Sequence, residues 1–135
     1  MRKLVMIAAV VLTVFSVPIV ALAWHPTVSG DVICDEQSGQ YVVTWRVTNT
    51  DGDQNWNPEG ETMTITSSSR NVFPARTQVP DEGTVSAVER FPGGHNGRVR
   101  MKVTAVWPSD QTGSSRTASV ELAGACSVPE TTRTT

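Results

Sequence analysis

GQYVVTWRVTN, residues 39–49, is the stretch whose reading decides the fold. Tyr41, Val43, Trp45 and Val47 alternate with Val42, Thr44, Arg46 and Thr48. A period of two, rich in β-branched and aromatic residues, marks a strand with one buried and one wet face. Trp45 is the largest side chain on the apolar face, so neighbouring strands are expected to pack around it. The same pattern returns in RVRMKVTAVW, residues 98–107, with Val99, Met101, Val103, Ala105 and Trp107 inward and Arg98, Arg100, Lys102 and Thr104 outward. A slip of one residue would turn every apolar side chain to water, so the pattern specifies the register.

The weaker segments fall into place around these two. Residues 27–35, TVSGDVICD, read as a first strand with Val28, Val32 and Cys34 on one face and Gly30 as a bulge or tight bend. Glu36 to Gly39 are turn residues, which predicts a hairpin with the Trp45 strand. Residues 62–69 alternate again, with Met63 and Ile65 apolar and Thr62, Thr64 and Thr66 facing away. Asn71, Val72 and Phe73 either extend that strand or form a short one before Pro74. Turn residues at 80–83 lead to a strand carrying Val85 and Ala87, with Val88 and Phe91 nearby. PSDQTGSS, residues 108–115, reads as a loop, and residues 117–122 as a last strand with Ala118, Val120 and Leu122 inward. Six or seven short strands and no helical period after the first residues predict an all-β, antiparallel sandwich. Its core centres on Val43, Trp45, Val47, Met101 and Val103.

The ends of the chain carry information about compartment. Arg2 and Lys3 precede an uncharged run over residues 4–23 that closes on Ala21, Leu22, Ala23. A basic start, an apolar stretch and an A-x-A site read as a secretory signal peptide over residues 1–23, with Trp24 as the mature N-terminus. The run is also long enough to span a bilayer, so an uncleaved anchor is the rival reading, and the only membrane attachment expected. Without the signal, 9 basic residues face 13 acidic ones, a formal charge of -4, which offers nucleic acid no electrostatic attraction. Cys34 and Cys126 are the only cysteines. In an exported chain such a pair is expected to form one disulfide; two free thiols are the alternative. Residues 127–135, SVPETTRTT, are Thr-rich and cannot bury a core face, so a disordered or extended tail is expected there.

Over residues 27–123 the pattern resembles a fibronectin type III or immunoglobulin-like module. Val42, Val43, Thr44 and Trp45 resemble the second strand of fibronectin type III domains, where a core tryptophan follows a β-branched run. Phe91, Pro92 and Gly93 before RVRMKVTAV, then Gly113 and TASVEL, are similar to that family's turn, long strand, loop and final strand. The resemblance implies an immunoglobulin-like β-sandwich of about seven strands; the domain is expected over residues 24–126, with its strand order open. Cys126 lies after the last strand, unlike the second cysteine of immunoglobulin domains, and the only tyrosine is Tyr41. The signal, the HPTVSG start and the Thr-rich end are together similar to small exported surface proteins of actinobacteria, a likeness that implies location more than activity.

Catalysis needs converging nucleophiles, bases or metal ligands. His25 and His95 are the only histidines, no motif ties either to a nucleophile, and no G-x-S-x-G elbow is present, so no enzymatic activity is expected. His25 next to an N-terminal amine, with His95 as second ligand, is a candidate copper site, but cleavage would have to fall after Trp24. Asp51, Asp53, Asn55, Asn57, Glu59 and Glu61 place an oxygen at every second position, as in loops that hold calcium. Trp56 stands where such a loop needs glycine, and Asp-Gly and Asn-Pro are ordinary turn formers, so a solvated loop without cofactor is the simpler reading. Trp56 in that polar loop is also a candidate for stacking on a sugar or anchoring a protein. Arg98, Arg100 and Lys102 form a basic stripe that could meet acidic glycans or wall polyanions, or simply be the wet face of a strand. The chain is thus expected to be a secreted or cell-surface binding or spacer module. Its expected partners are cell wall, glycan or extracellular protein, with a carbohydrate-binding module or a copper protein as alternatives.

Overall fold

A computed structural model describes residues 25–49 and 60–130. The expected signal peptide, Trp24, loop residues 50–59 and the tail beyond residue 130 lie outside the described residues. Seven strands follow in order: β1 (Thr27–Asp35), β2 (Gln40–Thr48), β3 (Met63–Ser68), β4 (Thr77–Val79), β5 (Thr84–Pro92), β6 (Asn96–Trp107) and β7 (Asp110–Ala123). A 3-10 turn, Ser69–Asn71, follows β3. The strands form two antiparallel sheets, ordered β1-β2-β5 and β4-β3-β6-β7. The protein is therefore an all-β sandwich. Among the described residues no helix is long and apolar enough to cross a membrane.

Both decisive stretches take the expected register. Tyr41, Val43, Trp45 and Val47 of β2 and Val99, Met101, Val103, Ala105 and Trp107 of β6 are all buried. Met63 and Ile65 of β3, Val120 and Leu122 of β7, Phe73 and Val79 complete the core. Burying a side chain of this size contributes roughly 1.5 to 3 kcal/mol, before the cost of ordering the chain.

Three expectations are corrected. Gly30 makes neither bulge nor bend: β1 and β2 pair without interruption, and Gly30 lies opposite Trp45. A Cβ there would come within 2.5 Å of the Trp45 ring, so the absent side chain makes room for the indole. Residues 71–73 are not strand. The chain enters the left-handed region at Arg70 (φ 53°) and Asn71 (φ 54°) and leaves β3 before burying Phe73. The short β4 that follows has one core residue, Val79, too few to show a period. Finally, residues 108–115 are mostly strand. Trp107 already faces Asp110 across a turn at Pro108 and Ser109, and β7 runs on for 14 residues. The Asp110 carboxylate accepts from the Thr112 hydroxyl at 2.6 Å, and Gln111 Nε2 donates to the Trp107 carbonyl at 2.6 Å. The first half of β7 is exposed or half-buried and carries no apolar alternation, so its sequence shows no strand period.

Cys34, at the end of β1, and Cys126, after β7, are joined by a disulfide with their Cα atoms 5.5 Å apart. It links the end of the three-stranded sheet to the chain leaving the four-stranded one. A bond of this kind persists in an oxidising compartment.

Candidate functional site

The site begins with a strand that loses a neighbour. β3 pairs with β6 from Val103 to Val106, and its register shifts between Ile65 and Ser67. The left-handed residues after β3 then carry the chain away. Among the described residues, segment 96–102 of β6 is left with β7 as its one partner strand. Phe91 from the end of β5, His95 from the β5–β6 turn and Arg70 from the 3-10 turn border the vacated space. Together with Arg98, Val99 and Arg100 they line an open groove of about 510 Å³.

Arg70 is the organising side chain of the groove. Its Nη2 and Nε donate to the two oxygens of Glu89 at 2.6 and 2.7 Å, a bidentate pair between opposite sheets. Its Nη1 donates to the Arg100 carbonyl at 3.0 Å, and its guanidinium lies 6.0 Å from the centre of the Phe91 ring. The bond to Glu89 raises the Arg70 pKa, against an opposing push from burial, so the group stays charged. Glu89 Oε1 also accepts the Trp45 indole N–H at 2.8 Å. Trp45 is therefore more than core packing: its polar edge anchors the carboxylate that holds Arg70. On the open side Arg98 Nε donates to Glu121 at 2.7 Å between two exposed side chains. Arg100 forms no ion pair among the described residues. The His95 ring tilts at 54° to Phe91 with centroids 5.3 Å apart, and its backbone N–H donates to the Pro92 carbonyl at 2.9 Å. The lining thus offers guanidinium donors beside an aromatic face, a chemistry suited to carboxylate, sulfate or phosphate.

Of the candidates read from the sequence, the structure brings Arg98 and Arg100 into the groove. Lys102, on the same stripe, is exposed but does not line it. Asp51, Asp53, Asn55, Trp56, Asn57 and Glu59 lie outside the described residues. The last member of that loop series, Glu61, is taken up by the β6–β7 turn. One of its carboxylate oxygens accepts from the Ser109 hydroxyl and the other from the Ser109 amide at 3.3 Å. His25 and His95 are not brought together. His25 precedes β1 where that strand meets the end of β2, whereas His95 sits in the turn at the other end of the sheets. Among the described residues no three His, Cys, Asp or Glu side chains gather as a metal site would need.

Arg70, Glu89 and Phe91 were not read as site residues. Phe91 was visible as an apolar residue near a weak strand; Arg70 follows three serines and carries no motif. Its role arises from the left-handed turn and from a partner 19 residues on. Comparison with protein families, with curated proteins and with solved structures gives no significant match.

Proposed function

We propose that this chain is a secreted or cell-surface, fibronectin type III-like β-sandwich that acts by binding, without catalysis, and that its ligand is an anion held in the arginine groove. The strand arrangement supports the fibronectin side of the resemblance: β4 pairs with β3, whereas in immunoglobulin constant domains the fourth strand joins the sheet of the first, second and fifth. The disulfide supports an exported protein. The observation that carries the ligand class is that Arg70, Arg98 and Arg100 line one groove together with Phe91, with Arg100 left without an ion pair among the described residues. Two of the three arginines already have carboxylates, so the binding expected is modest and salt-sensitive.

Retention of the oxidised protein on immobilised heparin and on immobilised polyglutamate, at low salt, tests this. Retention on at least one matrix is expected, with earlier elution of Arg100→Glu and unchanged elution of Trp56→Ala. Passage through both matrices, or equal retention of Arg100→Glu, would overturn the proposal. Earlier elution of Trp56→Ala alone would move the ligand site to the 50–59 loop.

A further inference from the structure

The groove is also the exposed side of an incomplete sheet, and that narrows the ligand. We infer that it takes an extended acidic peptide segment, which adds as a short strand along the open edge of β6 at residues 98–100. This rests on the groove being the binding site.

The open edge is visible in its hydrogen bonding. Segment 96–102 pairs with β7 on one side and lacks β3 on the other. Two side chains of the 3-10 turn substitute for β3 at the upper part of this segment. Ser69 Oγ accepts the Lys102 amide at 2.8 Å, and Arg70 Nη1 donates to the Arg100 carbonyl at 3.0 Å. Backbone groups of a strand alternate between its two neighbours, so Arg100 and Lys102 assign the even-numbered residues to the open side. The Arg98 amide and carbonyl and the Arg100 amide therefore point into the groove edge. They form a short run of main-chain donors and acceptors of the kind that an incoming strand pairs with.

The side chains define what that strand should carry. Arg98 and Arg100 stand on the outward face of β6, two residues apart, while Val99 between them faces inward. Phe91 and Val99 supply the apolar part of the groove's lining. A strand laid beside β6 has the same two-residue alternation. Carboxylates at every second position would sit beside Arg98 and Arg100, and apolar side chains between them would face Phe91 and Val99. Charge complementarity thus points to an acidic-apolar-acidic peptide. A sulfated or carboxylated glycan would engage the guanidinium groups and leave the main-chain edge unused.

The probe is a blocked, fluorescent Glu-Val-Glu-Val-Glu peptide, titrated into the full-length oxidised protein. Two derivatives carry backbone N-methyl groups at odd or at even positions, with the charge unchanged. In an added strand one set of amides faces β6 and the other faces solvent. One derivative is therefore expected to bind about tenfold more weakly or worse and the other within about twofold of the parent. Arg100→Glu is expected to weaken the parent by about tenfold. Equal behaviour of the two derivatives, whether both bind or both fail, would overturn strand addition. Binding to heparin with none to the peptide would overturn it too, while leaving the anion groove standing. Binding to neither probe would remove both.

Discussion

At one end of the sandwich, where β2 and β6 begin, the two sheets are joined covalently; at the other, where the same strands finish, one asparagine joins them. The covalent end has Cys34 bonded to Cys126, the Ala125 amide donating to the Tyr41 hydroxyl at 3.0 Å, and the Cys126 amide donating to the Gly93 carbonyl at 3.1 Å. Gly93 is held so tightly that a Cβ would fall 1.7 Å from the Cys126 carbonyl oxygen. The opposite end turns on Asn49, which is buried. Its Nδ2 donates to the carbonyls of Glu61 and Val79 at 2.9 and 3.0 Å, and its Oδ1 accepts the Trp107 indole N–H at 3.0 Å. Its backbone amide donates to Gly83 and its carbonyl accepts from Glu82. The two solutions act on different states. A disulfide restricts the unfolded chain, whereas the asparagine contributes only once both sheets are in place.

The largest expected effect comes from breaking the covalent end. Cys34 and Cys126 are 92 residues apart. The chain-entropy relation for a loop of that length gives about 4 to 5 kcal/mol, a large share of the roughly 5 to 15 kcal/mol of an ordinary domain. Replacing both cysteines by serine should lower the urea midpoint accordingly, with the native fold retained in the folded fraction. A loss under about 1 kcal/mol would mean that the contacts around Gly93 and Tyr41 hold this end without the bond, and the contrast between the ends would disappear.

Asn49→Ala should come next. It takes one acceptor from the Trp107 indole N–H and one donor from the Val79 carbonyl, and a buried group that loses its partner costs roughly 1 to 3 kcal/mol. A total loss of about 2 to 4 kcal/mol is expected in chemical denaturation. Trp107→Phe in the Asn49→Ala background should then cost less than it does alone, because the bond between the two side chains is already lost. If the two losses simply add, Asn49 and Trp107 do not act as one unit.

The two ends also differ in how much of them could be read from sequence. The core faces of β2 and β6 were legible because each inward position is apolar and each neighbour polar, a pattern that only one register satisfies. The cysteine pairing was legible because two cysteines allow one intramolecular bond. Asn49 was not: at the end of a strand and before a polar loop it looks like any turn residue. Its value comes from partners 12, 30 and 58 residues away. The groove was half legible. Arg98 and Arg100 stood out as a basic stripe, but nothing local announces that β3 will stop short of them and let Arg70 in. Glu89 shows the same limit. In a strand read as weak, an inward carboxylate argues against burial until its partners, Trp45 and Arg70, are known.

The smallest expected effect is a pH response confined to the covalent end. Asp35 closes the β1–β2 turn, accepting from the Ser38 hydroxyl at 2.9 Å, from Arg90 Nη1 at 3.2 Å and from the Gln37 amide at 3.1 Å. The bond from Ser38, followed by those from Arg90 and Gln37, holds its carboxyl below the usual carboxylate range. The folded chain therefore binds this proton less readily than the unfolded chain does. Whatever stability the carboxylate adds is fully present above the unfolded carboxylate value and is lost as pH falls through the lower folded value. Thermal melts of the native protein and Asp35→Asn should differ at neutral pH, with the native protein the more stable, and the gap should close in acid. A gap that stays constant across that range would show that the Asp35 charge contributes nothing to the turn, and that Asn serves there as well as Asp apart from a pH-independent difference in geometry. At the other end, among the described residues, the hydrogen bonds of the Asn49 side chain join it to two carbonyls and an indole, none of which titrates in that range.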